Sequence, residues 1–186
     1  MRALALAAGI PESEILDFSA NLNPLGPPDW LRQLISASVS RLCHYPDPDC
    51  TELLAAAAGR YGIDTSTLVA GNGSSELLYS LLPLLGCTRA IIPVPSYHDY
   101  ASAAAKAGLA LHTVSQDTDA VDQALEAEPA PPVVILGRPN NPTGASLSAE
   151  RLRSIAKAHP HAWFVIDEAF ADFTPQQRFL ESRLQA

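Results

Sequence analysis

Two kinds of hydrophobic pattern divide the chain. Up to about Pro28 no period is sustained, and Pro, Asn and Gly are frequent, which suits an arm that packs on something else. "DWLRQLISASVSRL" then sets Leu31, Leu34, Ile35, Val39 and Leu42 on one helical face, with Asp29 at the cap position. "HYPDPD" is a proline-stiffened connector, and a helix is expected from Thr51 to Tyr61, ending at Gly62.

Beyond Gly62 short apolar runs alternate with helical segments. "TLVAG", "RAIIPV", "LALHTV", "PVVILG" and "AWFVID" read as strands. "SSELLYSLLPLL", "YHDYASAAAKAG", "DAVDQALEA" and "SAERLRSIAKAH" read as the helices between them, and "QQRFLESRLQA" as the start of another. Continuous apolar strands alternating with helices imply an α/β fold, a mostly parallel sheet covered on both faces. The expected division is an arm and first helix over 1–45 and a sheet domain over 46–186.

Composition narrows the function. With 47% hydrophobic and 17% charged residues in 186, the chain can bury a sizeable core. A formal net charge of −8 argues against nucleic-acid or anionic-membrane surfaces, so an anionic ligand must rely on local donors. Cys43, Cys50 and Cys87 are an odd set with no zinc spacing, which suits a reduced cytoplasmic protein without a metal site. "ALALAAGIP" is broken by Gly9 and Pro11 and does not read as a signal peptide. No apolar run approaches the roughly 20 residues of a membrane span.

In open α/β sheets ligands gather beyond the carboxyl ends of the strands. Four motifs fall there. "GNGSSE" puts Gly73, Ser74 and Ser75 at a helix start, where free N–H groups and hydroxyls suit a phosphate. The same residues also make a tight turn with a serine cap, and Glu76 suits an empty helix end better than an occupied one. "PSYHDY" opens a helix with Tyr97, an aromatic able to cover a flat ligand or simply to pack; His98 and Asp99 read as solvated first-turn residues. "PNNPTG" fixes its backbone with Pro139 and Pro142 and aims Asn141 as an amide donor, or is an Asn-Pro turn. Arg138 just before it reads as a surface guanidinium. "WFVIDEAF" ends a strand in Asp167 and Glu168, which alternation sends to opposite faces. Asp167 can then meet a cationic ring nitrogen while Glu168 faces the helices; alternatively both acids cap the next helix. A phosphate cup, an aromatic cover, an amide and an acid describe pyridoxal 5'-phosphate, whose protonated ring serves as an electron sink.

"GNGSSELL", "PSY", "PNNPTG" and "DEAF", in this order, resemble the fold-type-I pyridoxal-phosphate enzymes of the histidinol-phosphate aminotransferase group. "ILDFSANLNPLGPP" and "HYPDPD" look most like its threonine-phosphate decarboxylase branch. The resemblance runs from about Leu4 to Phe173. It implies an incomplete large domain of that fold, with Ser74 and Ser75 at the cofactor phosphate and Tyr97 stacked on the ring. Asn141 falls at the ring hydroxyl and Asp167 at the pyridine nitrogen. It further implies that Tyr45 reaches the phosphate bound by a neighbouring subunit, hence a homodimer, and that Asn21 and Asn23 lie near a small phosphorylated amino-acid substrate. Phe170 replaces a tyrosine of many aminotransferases in the group, which favours decarboxylation of threonine phosphate in cobalamin biosynthesis. The alternatives are amino transfer on histidinol phosphate or a related amino acid, and a non-catalytic remnant that binds a phosphate metabolite.

Such enzymes carry the cofactor's aldehyde on a lysine. The lysines here, Lys106 and Lys157, sit in crossover helices that run away from the ligand edge. In the resembling family the lysine, a phosphate-binding arginine and a substrate-binding arginine all follow "DEAF". The chain is therefore expected to be the first part of the enzyme and inactive as it stands.

Overall fold

The computed structural model describes residues 2–16, 20–128 and 131–174. The chain divides into two compact units, Met1–Pro48 and Asp49–Ala186, and the division falls within the proline connector.

The first unit opens with helix α1 (Arg2–Ala8) and a 3₁₀ turn at Glu12–Glu14, where the sequence suggested an irregular arm. The Ala and Leu residues after Arg2 are strong helix formers and account for the difference. Helix α2 (Asp29–Ser38) stops short of Leu42 and tightens into a 3₁₀ turn at Val39–Cys43. Ser36 and Ser38 donate hydroxyl bonds to the carbonyls of Arg32 and Leu34, which compete for the acceptors of the last helical turn. Asp29 is the first helical residue and caps nothing; Pro28 holds the N-cap position in extended conformation. Of the expected apolar face, Leu34, Ile35, Val39 and Leu42 are exposed and Leu31 is half-buried.

The second unit begins with helix α3 (Thr51–Tyr61), which Gly62 ends in the left-handed conformation, its N–H bonded to the Ala58 carbonyl. Helix α4 (Gly73–Leu81) follows. Then come strand β1 (Arg89–Val94), helix α5 (His98–Lys106), strand β2 (Ala110–Ser115) and helix α6 (Thr118–Glu126). Strand β3 (Pro132–Gly137), helix α7 (Ala149–Ala158) and strand β4 (Trp163–Asp167) complete the described elements, closed by a 3₁₀ turn at Ala171–Phe173. The sheet is parallel throughout, in the order β2-β1-β3-β4.

"TLVAG" is not a strand: Thr65–Thr67 is a 3₁₀ turn and the residues after it are irregular. A strand needs a hydrogen-bonded neighbour, and among the described residues none pairs with this run, whose Val69 is largely exposed. The proposed terminal helix "QQRFLESRLQA" lies outside the described residues.

Alternation along the inner strands builds two cores. Ala90, Ile92, Val133 and Ile135 face α4 and α5, where Leu78, Leu82, Tyr100, Ala103 and Ala104 meet them. Ile91, Val134 and Leu136 face α6 and α7, against Val121, Leu125, Leu152 and Ile155. All six residues of β3 are buried, the mark of a strand covered on both sides. The edge strand β2 is only half covered, with Leu111 47% exposed, so its apolar run is not doubly buried as expected. In β4, Val165 packs with the first core, and Phe164 and Ile166 with the second. Asp167 shares the parity of Val165 and so points toward α4 and α5.

Leu152→Ala should lower the unfolding free energy by about 2–5 kcal/mol, because the side chain is fully buried. Leu111→Ala should cost less than about 1 kcal/mol by the same measure, its side chain being half in water already. Urea melts of both variants test the layer assignment; equal losses would contradict it.

Candidate functional site

The carboxyl ends of the four strands are tied together by side chains that follow them. After β2, the Gln116 amide donates to the carbonyls of Pro93 and Pro95 at the end of β1, at 2.9 and 3.0 Å. After β3, the Asn140 amide donates to the same Pro95 carbonyl at 3.0 Å and to the Thr143 hydroxyl at 2.8 Å. The Arg138 N–H donates to the Asp167 carbonyl at 2.8 Å and so carries the β3–β4 pairing beyond Gly137.

Within "PNNPTG" the two asparagines divide their work. Asn140 is buried and holds the loop: its N–H bonds the Ala145 carbonyl and its carbonyl takes the Gly144 N–H, both at 2.7 Å. Asn141 is half-buried and its amide takes part in none of these bonds. Gly144 has φ +69°, which only glycine adopts freely and which lets the loop turn back.

At the start of α4, Ser75 and Tyr97 converge on one carboxylate. The Ser75 hydroxyl donates to Asp99 Oδ2, and the Tyr97 hydroxyl donates to the same oxygen at 3.0 Å. Asp99 is thus no solvated first-turn residue, although its neighbour His98 is largely exposed. The Ser75 hydrogen bond is the main cause that holds the Asp99 carboxyl below its ordinary range; its partial burial opposes this, and Tyr97 and His98 add to the lowering. The neighbouring Glu76 bends back so that its Oε2 accepts from the Asn72 N–H. Two carboxylates of the chain therefore occupy donors at the α4 end. Ser74 beside them is half-buried, and Gly73 opens the helix with φ +82°.

Asp167 ends β4 with both oxygens engaged. Oδ2 accepts from the Tyr100 hydroxyl at 3.0 Å and Oδ1 from the Ala169 N–H at 2.9 Å. Tyr100 is fully buried, and its ring also meets Tyr97 edge-on at 5.7 Å between centroids. Burial first, and then the Asp167 charge, push the Tyr100 phenol far above its ordinary range, so it is a neutral donor at any working pH. Contacts run unbroken from Ser75 through Asp99, Tyr97 and Tyr100 to Asp167. Glu168 turns to the opposite face and pairs with Arg138, whose Nη1 lies 3.5 Å from Oε1. Arg138 is buried, with its Nε bonded to the Leu147 carbonyl at 3.0 Å, and is not the surface guanidinium that the sequence suggested. The next strand's acid draws it inward. Phe170 packs at a tilt on Phe173, 6.4 Å between centroids.

Three expected site residues, Asn21, Asn23 and Tyr45, belong to the first unit. Asn23 uses its side-chain oxygen locally, accepting from the Leu25 N–H at 3.0 Å, and Tyr45 is fully exposed. Lys106 and Lys157 both lie in the last turns of crossover helices. Lys106 is at the β2 end of α5, about 12 Å of helix from His98, with its ammonium 5.7 Å from the Tyr79 ring. Among the described residues no group of three side chains could hold a metal ion, and no helix is long and apolar enough to cross a membrane.

The residues fit pyridoxal phosphate best at the ring end. A fixed carboxylate at a strand terminus suits a protonated ring nitrogen, and an aromatic side chain stands beside it. At the start of α4, where the phosphate is expected, the Asn72 N–H and the Ser75 hydroxyl are engaged by Glu76 and Asp99. Tyr100 and Asp99 were not singled out as site residues from sequence. Tyr100 lies three positions after Tyr97, on the same helical face, and Gly137 in a buried strand signals a close approach.

Comparison with known proteins agrees with this geometry. The aminotransferase class I and II family model matches residues 13–185. The adenosylcobalamin biosynthesis bifunctional protein CobDQ of Leptospira interrogans is 36% identical over 98% of this chain and 22% of its own length. The threonine-phosphate decarboxylase of Salmonella typhimurium is 33% identical over 95% of this chain and 50% of its own. The chain thus spans half the length of that relative, and less of the bifunctional protein. Among solved structures, the histidinol-phosphate aminotransferase from Sinorhizobium meliloti in complex with pyridoxal-5'-phosphate superposes with a TM-score of 0.82 at 27% identity, covering 94% of this chain and 49% of that one. The chain belongs to the pyridoxal-phosphate-dependent aminotransferase class I and II family.

Proposed function

We propose that the whole protein decarboxylates threonine phosphate in cobalamin biosynthesis, and that this chain supplies the arm and most of the cofactor cradle. The observation that carries the choice is Phe170. Three residues beyond Asp167, it offers a ring and no hydroxyl, where a tyrosine would place a hydrogen-bond donor near the cofactor's ring oxygen. The similarity to the Salmonella decarboxylase and to the Leptospira cobalamin-biosynthesis protein supports the same choice.

In this reading Asp167 faces the ring nitrogen and Asn141 the ring hydroxyl, while Tyr97 covers one face. Gly73, Ser74 and Ser75 take the phosphate at the α4 terminus, where N–H groups and the helix dipole favour an anion. Bound there, pyridoxal phosphate supplies a protonated ring that accepts the electron pair left when carbon dioxide departs. Asp167 would hold the proton at the ring nitrogen. Tyr45 reaches the phosphate bound by a second subunit, so the working form is a homodimer, and Asn21 and Asn23 line the substrate side. In this reading neither Lys106 nor Lys157, in the last turns of α5 and α7, carries the aldehyde. The location proposed with it is the cytoplasm, in keeping with three cysteines that show no paired spacing.

The whole protein, given threonine phosphate, should release carbon dioxide without any 2-oxo acid. Given histidinol phosphate and 2-oxoglutarate it should form little glutamate. Glutamate formation without carbon dioxide would assign it to amino transfer instead.

The phosphate end makes a second prediction, read by equilibrium dialysis of pyridoxamine phosphate against the apo form of the whole protein. Ser75→Ala should weaken binding roughly tenfold, the worth of a hydrogen bond to a charged group. Asp99→Asn should tighten it several-fold, because a like charge leaves and its hold on the Ser75 hydroxyl weakens. Unchanged affinity in both variants would place the phosphate elsewhere.

A further inference from the structure

We propose that Tyr100 is a positioning residue for the cofactor, fixing the Asp167 carboxylate that meets the ring nitrogen. The inference rests on the reading that Asp167 serves that nitrogen.

Three observations carry it. The first is the bond itself: Tyr100 Oη donates to Asp167 Oδ2 at 3.0 Å across the α5–β4 packing, two elements 67 residues apart. The second is that, among the described residues, Asp167 is the hydroxyl's hydrogen-bond partner and its surroundings are otherwise apolar. Tyr100 is 2% exposed and packs in the core with Leu78, Leu82, Ala103 and Ala104, where a phenylalanine ring would fill the same space. A buried hydroxyl costs free energy unless it is bonded, so its presence in an apolar cluster needs a partner, and Asp167 is that partner. The third is Gly137. A Cβ there would stand 2.9 Å from the Tyr100 hydroxyl, and 3.2 Å from both Asn140 Cα and the Pro139 carbonyl oxygen. Gly137 is paired with Asp167 in the β3–β4 register, so the missing side chain opens the path the hydroxyl takes. Its φ is not in the left-handed region, so close approach and not backbone conformation explains the glycine.

The consequence is orientational. Asp167 Oδ1 is held by the Ala169 N–H and Oδ2 by the Tyr100 hydroxyl, so a donor on each oxygen orients the plane of the carboxylate. The lone pairs that these two donors leave unused are the ones available to a ring nitrogen. Tyr100 also braces the Tyr97 ring edge-on, so one buried side chain sets both the acid and the aromatic cover. Burial and the Asp167 charge raise the phenol's pKa, which keeps it in the neutral, donating form.

The test is the ring-nitrogen resonance of ¹⁵N-labelled pyridoxal phosphate bound to the whole protein, with its dissociation constant measured alongside. Tyr100→Phe keeps the packing and removes the donor; it should move the resonance toward the unprotonated pyridine value and weaken cofactor binding roughly tenfold. Gly137→Ala keeps the hydroxyl but pushes it off Asp167, and should move the resonance the same way. The double variant should resemble Tyr100→Phe alone, since removing the hydroxyl removes the nearest clash. A role confined to core stability would lower the melting temperature of these variants and leave the nitrogen signal where it was, which would overturn the proposal. Asp167→Asn separates the two levels of argument. If it leaves the resonance unchanged, the assignment of Asp167 to the ring nitrogen falls. If it shifts the resonance while Tyr100→Phe and Gly137→Ala do not, only the positioning role falls.

Discussion

The double burial of β1 and β3 is the constraint that organises the molecule. With apolar helices on both faces, these strands have no room for polar side chains along their length, and an unpaired polar group there would cost several kcal/mol. Polar chemistry is displaced to the strand ends. At the carboxyl ends it is organised by short loops, Pro95–Tyr97, Arg138–Gly144 and Glu168–Phe170, linked by the Asn140–Pro95 hydrogen bond and the Arg138–Glu168 ion pair. The site is thus a by-product of covering the sheet, sharpened by a few bonds that cross between loops.

The same parity that builds the two cores distributes the two acids. Asp167 follows Val165 into the α4–α5 side and finds Tyr100; Glu168 turns the other way and finds Arg138. Arg138 is buried and hydrogen-bonded at its guanidinium, and it compensates the charge of the half-buried Glu168 close to the site. Asp167 has no cation among its bonded neighbours in the described residues: its partners are a phenol and an amide N–H. An acid provided with donors but no counter-ion is suited to receive a cation from outside the chain, and a protonated ring nitrogen is one.

Much of this was legible in sequence because it depends on periodicity. "RAIIPV" and "PVVILG" are β1 and β3 residue for residue, since a run buried on both faces needs no neighbouring context to be recognised. "TLVAG" failed because strand formation is a property of pairs, and no described segment pairs with it. Edge and centre were also indistinguishable from composition: "LALHTV" reads like an inner strand, yet β2 is half exposed. At the site, the asparagine pair announced a rigid loop but not how the two share the work, because which amide is buried depends on the carbonyl of Pro95, 45 residues away. Tyr100 was hidden for a related reason. In a helix its position reads as core, and core is where the ring lies; the function is in one hydroxyl that a distant glycine admits.

The phosphate end shows what the sequence could state only as a conflict. Glu76 in the first turn of α4 argues for an empty helix terminus, and the serines argue for an occupied one. The geometry reconciles them. Glu76 and Asp99 take the Asn72 N–H and the Ser75 hydroxyl, so the chain's own carboxylates satisfy donors that would otherwise be orphaned at a helix start. An incoming dianion has to compete with both. That competition sets a requirement on the rest of the phosphate site: with a net charge of −8 and two acids beside the cup, the helix dipole alone, worth about 0.3–1 kcal/mol at an exposed terminus, is too weak to hold a phosphate against them. Arg138 is the cation closest in sequence to the "PNNPTG" loop, and it is turned away toward Glu168. In the proposed reading, donors beyond the α4 terminus are therefore needed, and the Tyr45 hydroxyl proposed to come from a second subunit would be one that adds no charge.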